Sequence, residues 1–168
     1  MAQPIHKGRA FKFGDGISTD LIIAGKYAHL RSNLPELAKH AMEDANPDFV
    51  KLVKTGDFIV AGSNFGLGSS REHAPLVIKM AGVSAILAKS FARIFFRNAI
   101  NQGLPALICQ TDKIAEGDIL EISLDEGLIR NITRNESYSF TRIPPTMLNI
   151  LNEGGLIPYI NRHGDLKL

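Results

Sequence analysis

The residues best suited to chemistry lie together in Gly62-Ser63-Asn64-Phe65-Gly66-Leu67-Gly68-Ser69-Ser70-Arg71-Glu72-His73-Ala74-Pro75. Ser69 and Ser70 offer adjacent hydroxyls. Arg71 offers a planar guanidinium that can grip a carboxylate or phosphate through two hydrogen bonds. The glycines at 62, 66 and 68 let the backbone turn sharply and approach a ligand closely. The apolar spacing predicts a helix over 74–81, with Ser69 or Ser70 as its N-cap. Free N–H groups and the helix dipole would favour an anion there. A hydroxyl is a poor base in water, but it improves when donors and a cation hold its alkoxide. The stretch is therefore suited to holding a small anion. It also reads as an ordinary glycine-rich turn with a serine cap, and spacing alone does not choose between the two. A nucleotide P-loop is disfavoured because no Lys follows the glycines. The dinucleotide fingerprint fails because these glycines do not fit its spacing.

The loop needs a strand before it and a helix after it. Asp57 to Ala61 is a short apolar run that reads as a buried strand. Gly8 to Phe13 reads as a first strand, and Val83 to Ala88 and Leu104 to Cys109 as two more buried strands. Helices are predicted over 34–43, over a short stretch ending near Lys54, and over 91–102 with Gly103 as terminator. Strand–helix alternation implies an α/β core with at least partly parallel strands. From Asp118 onward the pattern changes to polar–apolar alternation, over 118–124, 127–133 and 137–143. Those segments predict an antiparallel C-terminal meander. Pro144-Pro145 opens a last helix, Met147 to Asn152, ended by Gly154-Gly155, and residues 161–168 read as a tail. The whole chain, 1–168, reads as one domain.

The order of residues from Asn64 to Pro75 resembles the signature of the small, swivelling domain of the aconitase family. Three further stretches agree, in the expected order: Asp15-Gly16-Ile17-Ser18-Thr19-Asp20-Leu21-Ile22-Ile23, Ser90 to Asn98, and Asn101-Gln102-Gly103-Leu104-Pro105. Within the family the chain is similar to the separate small subunits of isopropylmalate isomerases, from about Gly8 to Tyr159. Leu67 departs from many members, which carry Cys there. The resemblance implies a layered β/β/α swivelling domain. It implies that Ser69 is the base that takes and returns a proton at carbon, and that Ser70 and Arg71 hold substrate carboxylate. Asp20 is expected near the site, where it could orient Arg71 or simply cap a turn. Asn64, Gly66, Gly68 and His73 are expected to support the loop. The segment after Gly25-Lys26-Tyr27 is expected to set substrate choice, with Leu30 and Arg31 as the candidate contacts.

The rest of the composition bounds the reading. A hydrophobic content of 45%, a charged content of 21% and a formal net charge of +2 describe an ordinary globule and give no case for nucleic acid. No apolar run approaches a membrane span, the N-terminus lacks a signal-peptide core, and cytoplasm is the expected compartment. The single cysteine, Cys109, cannot ligate an iron–sulfur cluster, which usually needs three or four thiolates. The histidines at 6, 29, 40, 73 and 163 show no ligand spacing. Removing a hydroxyl from a hydroxy acid needs a strong acid or Lewis acid on the leaving oxygen. The chain thus predicts half of an active site, with no cofactor of its own. The resemblance implies a large subunit carrying a [4Fe–4S] cluster, in a heteromer whose shared interface forms the site; a homo-oligomer is possible for the isolated chain. The expected substrate is 3-isopropylmalate, because Ala28 and Leu30 can supply apolar walls. Homoaconitate, which would need Arg31, is the alternative, with dimethylmalate-type acids behind it. A module that binds a small anion without turning it over stays open as a different class of function.

Overall fold

The computed structural model describes residues 6–166. Its centre is a seven-stranded mixed sheet in the order β4-β3-β2-β1-β5-β6-β7. The strands are β1 (His6–Lys12), β2 (Phe58–Val60), β3 (Ala85–Ala88), β4 (Ala106–Ile108), β5 (Ile119–Ser123), β6 (Leu128–Asn131) and β7 (Glu136–Ser139). Strands β1 to β4 run parallel to one another, and β5, β6 and β7 form an antiparallel meander. β1 belongs to both halves. Its first part, from His6 to Arg9, pairs antiparallel with β5, and its last part, from Ala10 to Lys12, pairs parallel with β2.

The parallel strands are apolar on both faces because both faces are covered. Side chains alternate across a strand with period two. Phe11, Ile59, Ile86 and Ala106 therefore face the helical layer, where they meet Leu37, Phe49, Val77, Ile78 and Phe95. Ala10, Phe58, Val60, Ala85 and Leu87 face the other way and pack on Leu120, Ile122 and Ile129 of the meander. The sheet thus curls over its own back, giving meander, parallel sheet and helices as three layers. This is the layered β/β/α arrangement that the family resemblance implied, with the parallel core and antiparallel meander read from the residues.

The helices are α1 (Thr19–Ile22), α2 (Leu34–Ala38), α3 (Phe49–Leu52), α4 (His73–Met80), α5 (Arg93–Asn101), α6 (Pro145–Asn152) and α7 (Leu156–His163), with a 3-10 turn over Gly25–Leu30. None among the described residues is long and apolar enough to cross a membrane. Four differences from expectation have physical causes. The helix predicted over 34–43 stops at Ala38, because the buried Met42 takes a left-handed φ of 60° and its N–H donates to the Ile22 carbonyl. The helix predicted from Phe91 begins at Arg93, because Phe91 bridges to Phe65 and the Ala92 N–H donates to the Phe65 carbonyl. The last strand ends at Ser139 rather than near Ile143; the Thr141 N–H turns away to the Ile108 carbonyl. The expected tail from Asn161 is instead helical to His163. Pro158 sits in the first turn of α7, where proline is tolerated. Glu153 then holds Arg162 at 3.1 Å and His163 at 3.2 Å.

Candidate active site

The glycine-rich loop leaves the C-terminal end of β2, beside the chain that leaves β1 and the chain that leaves β3. Ligands in open α/β sheets collect at such carboxyl ends. The loop is pinned on both sides. Toward β1, the Gly66 N–H donates to the Ile17 carbonyl at 2.7 Å, the Thr19 N–H to the Leu67 carbonyl at 2.8 Å, and the Ser63 N–H to Asp15 Oδ1 at 2.7 Å. Toward β3, the Asn64 N–H donates to Ser90 Oγ at 2.8 Å and the Phe65 N–H to the Ser90 carbonyl at 3.0 Å. Asn64 pays for this path with a left-handed φ of 58°. Gly66 must be glycine: its φ is 85°, and a Cβ there would lie 2.2 Å from the ring of Phe95.

This clamp presents Ser69, Ser70 and Arg71 at its free end. Ser69 and Ser70 are exposed, and Arg71 is half-buried. Neither serine caps a helix, contrary to the sequence reading. Helix α4 begins at His73 and is preceded by Glu72, which makes no side-chain cap. The loop stays non-helical through Arg71, so both hydroxyls remain free of capping duty. Among the described residues the N–H groups of Ser69 and Ser70 have no protein acceptor. The Ser69 Oγ lies 3.3 Å from Thr19 Oγ1.

Arg71 is fixed by α1 and the residue that ends it. Its Nη1 donates to Asp20 Oδ1 at 2.6 Å and to the Ile23 carbonyl at 2.8 Å. The pairing of Asp20 with Arg71, one of two roles open to Asp20 from sequence, is thus present, and the cap of α1 is supplied by Ser18 instead. Nη2 and Nε of Arg71 make no hydrogen bond among the described residues and remain available to a ligand. Gly25 leaves that side open: a Cβ at residue 25 would come within 3.4 Å of Nη2.

His73 is half-buried behind the loop. Burial holds its pKa below the usual imidazole range, helped by the positive charges of Arg71 and Arg31. Arg31 is exposed, with no ion pair among the described residues, and acts on His73 as Arg71 does. Leu30 is turned inward instead and packs partly buried against the main core.

Known proteins resemble this chain in sequence and in fold. The profile of the aconitase C-terminal domain matches residues 17–112, the segment from the Asp15–Ile23 turn to just past β4. The 3-isopropylmalate dehydratase small subunit 2 of Archaeoglobus fulgidus is 64% identical over 161 residues, covering 96% of this chain and 98% of that one. The 3-isopropylmalate dehydratase small subunit 1 of Thermotoga maritima is 59% identical, covering 94% and 96%. The chain belongs to the 3-isopropylmalate dehydratase small-subunit family. A crystal structure of 3-isopropylmalate dehydratase from Methanocaldococcus jannaschii, 48% identical and covering 96% of each chain, superposes with a TM-score of 0.92.

In this small-subunit fold, the residues present do not fit an iron–sulfur cluster. Cys109 is buried among apolar side chains, which pushes its thiol up to about 12. No three His, Cys, Asp or Glu side chains converge as a ligand set among the described residues. Sequence reasoning missed Thr19 as a neighbour of Ser69. The signal was its place next to Asp20 in the Ser18-Thr19-Asp20 turn, which long-range contacts such as the Ser18–Leu67 bridge bring against the serine loop.

Proposed function

We propose that this chain is the small subunit of a two-chain hydro-lyase that interconverts 2-isopropylmalate and 3-isopropylmalate. Ser69 is its proton-transfer base, and Arg71 with Ser70 is its carboxylate clamp. The observation that carries this reading is the exposed Ser69 hydroxyl set beside an Arg71 whose Nη1 is occupied by Asp20 and whose Nη2 and Nε are free. A substrate carboxylate bridging Nη2 and Nε fits the bidentate geometry that arginine prefers. The unpaired N–H groups of Ser69 and Ser70 add donors at the same end of the loop. As an alkoxide, Ser69 takes the proton from the carbon next to the hydroxyl-bearing one. The C–H electrons form the double bond as the hydroxyl departs. On rehydration Ser69 gives its proton to the carbon that lost the hydroxyl while water's hydroxyl adds to the carbon that lost the proton, which exchanges the positions of hydrogen and hydroxyl.

The departing hydroxyl needs an acid on its oxygen. We assign that task to the large subunit and its [4Fe–4S] cluster, which supplies Lewis acidity to the shared site. Names such as "small subunit" among the relatives support a large partner.

One observation favours a second substrate. Arg31 is exposed, has no ion pair among the described residues and acts on His73 beside Arg71, whereas Leu30 packs partly buried against the protein's own core. A third carboxylate, as in homoaconitate, would find a partner in Arg31. The discriminating experiment assays the lone chain, then the chain combined with a cluster-loaded large subunit, on both acids. The proposal expects no turnover alone and a preference for isopropylmalate in the complex, unchanged in Arg31→Ala. A preference for homoaconitate that Arg31→Ala destroys would establish the second substrate. Turnover of neither acid by the complex would leave the chain an anion-binding module.

A further inference from the structure

We infer that Thr19 is a positioning residue for Ser69: its buried hydroxyl donates to Ser69 Oγ, fixes that oxygen's place, and holds its alkoxide. The inference rests on reading Ser69 as the base and adds a second residue to it. Thr19 is only 3% exposed. Its Oγ1 has one hydrogen-bond partner among the described residues, Ser69 Oγ at 3.3 Å. A buried hydroxyl that loses its only partner is costly, so the arrangement is specified rather than incidental.

The backbone enforces the same register. The Thr19 N–H donates to the Leu67 carbonyl at 2.8 Å, and Ser18 bridges to Leu67 in parallel. Thr19 therefore holds the serine loop at two points two residues apart, one through its main chain and one through its side chain. Gly68, between them, has a φ of 109°, and a Cβ there would stand 3.1 Å from Thr19 Oγ1. A side chain at 68 would wedge the two hydroxyls apart. Threonine's β-branch restricts χ1, so its hydroxyl direction is set more firmly than a serine's. Donation from a fixed, buried hydroxyl stabilises developing negative charge on Ser69 Oγ without reorganisation, as an oxyanion-hole donor does. No bond of Thr19 is made or broken.

The test compares Thr19→Val, which keeps the shape and removes the hydroxyl, with Thr19→Ser, which keeps the hydroxyl. Both are assayed in the complex with the large subunit. Thr19→Val is expected to lower kcat by about 10- to 100-fold. KM for isopropylmalate should move by less than about twofold, since uniform substrate binding is untouched. The rising limb of the pH–rate profile should shift to higher pH. Thr19→Ser should restore both kcat and the limb. The melting temperature of the isolated chain, read alongside, should not track these changes. An unshifted limb with normal kcat in Thr19→Val, or a Thr19→Ser variant as impaired as Thr19→Val, overturns the inference. Should Thr19→Val fail to assemble, Thr19→Cys takes its place, because the thiol fills similar space and donates weakly. Its expected loss is the same, and full activity in it overturns the inference. Ser69→Ala is run in parallel. If it keeps turnover, Ser69 is not the base and both readings fall. If it is inactive while Thr19→Val matches wild type, only the role of Thr19 falls.

Discussion

Arg71 and Asp20 are separated by 51 residues, yet Nη1 of Arg71 lies 2.6 Å from Oδ1 of Asp20. The pair ties the serine loop to α1, and the exposures of its partners show what it is for. The Asp20 side chain is 71% exposed and that of Arg71 is 25% exposed. An ion pair this wet contributes about 0–1 kcal/mol to stability. Its value lies in direction: with Nη1 held by Asp20 and the Ile23 carbonyl, the guanidinium is anchored and its other edge makes no hydrogen bond among the described residues.

Asp20→Asn should therefore leave folding almost untouched and degrade substrate use. The amide keeps the size but loses the charge that anchors Nη1. We expect kcat/KM in the assembled complex to fall by about tenfold or more, as misplacement of a clamp commonly does. The melting temperature should change by no more than about 2 °C. A large melting loss with unchanged kcat/KM would make the pair structural.

Arg71→Lys should fail as a replacement. Lysine keeps the charge, but a single ammonium cannot hold Asp20 and the Ile23 carbonyl while gripping a carboxylate through two parallel bonds. KM for isopropylmalate should rise markedly and kcat should fall as well. Unchanged constants would mean that Nη2 and Nε of Arg71 do not meet substrate.

Acid should weaken the fold through His73. Burial, with Arg71 and Arg31 nearby, depresses its folded-state pKa below 6.5. Between that depressed value and 6.5 the unfolded chain binds more protons than the native chain. Stability is then full above about pH 6.5 and declines as pH falls through the window below it. His6 is depressed in the same direction by burial, so it contributes to the same window. The depressed carboxyls of Glu43, Asp112 and Glu153 act lower, below about pH 4.5. Urea midpoints from pH 5 to 8 should show the decline, and His73→Gln should flatten it. An identical slope in the variant would contradict the assignment.

Much of this was legible in the sequence because period and punctuation are local. The alternation of Phe58, Ile59 and Val60 across two cores follows from apolar residues on both faces of a short strand. The antiparallel meander followed from polar–apolar alternation after Asp118. What stayed hidden depends on contacts between distant segments. Met42 leaves the helical path because Ile22 offers it a carbonyl. Phe91 is withheld from α5 because Phe65 pairs with it. Helix α7 was obscured by Gly154, Gly155 and Pro158, which punctuate locally but leave Tyr159 to pack against Ile150 and Leu151. At the site, the motif drew attention to Ser69, Ser70 and Arg71, but the helix cap assigned to the serines was an inference from neighbours in sequence. Gly66 and Gly68 take positive φ, the helix begins only at His73, and Ser69 lies against Thr19 instead.

Whether Ser69 moves the proton is decided by the turnover of a Ser69→Ala complex. The chain carrying Ser69→Ala is assembled with a cluster-loaded large subunit and assayed on isopropylmalate beside wild type. Loss of a proton-transfer group should lower kcat by about 10²–10⁴-fold, or roughly 3–5 kcal/mol of transition-state stabilisation. Stability should fall by only about 1 kcal/mol, since Thr19 loses one hydrogen-bond partner. A complex that assembles, keeps its cluster and shows this loss supports Ser69 as the base. Near-normal kcat in that same intact complex would contradict it.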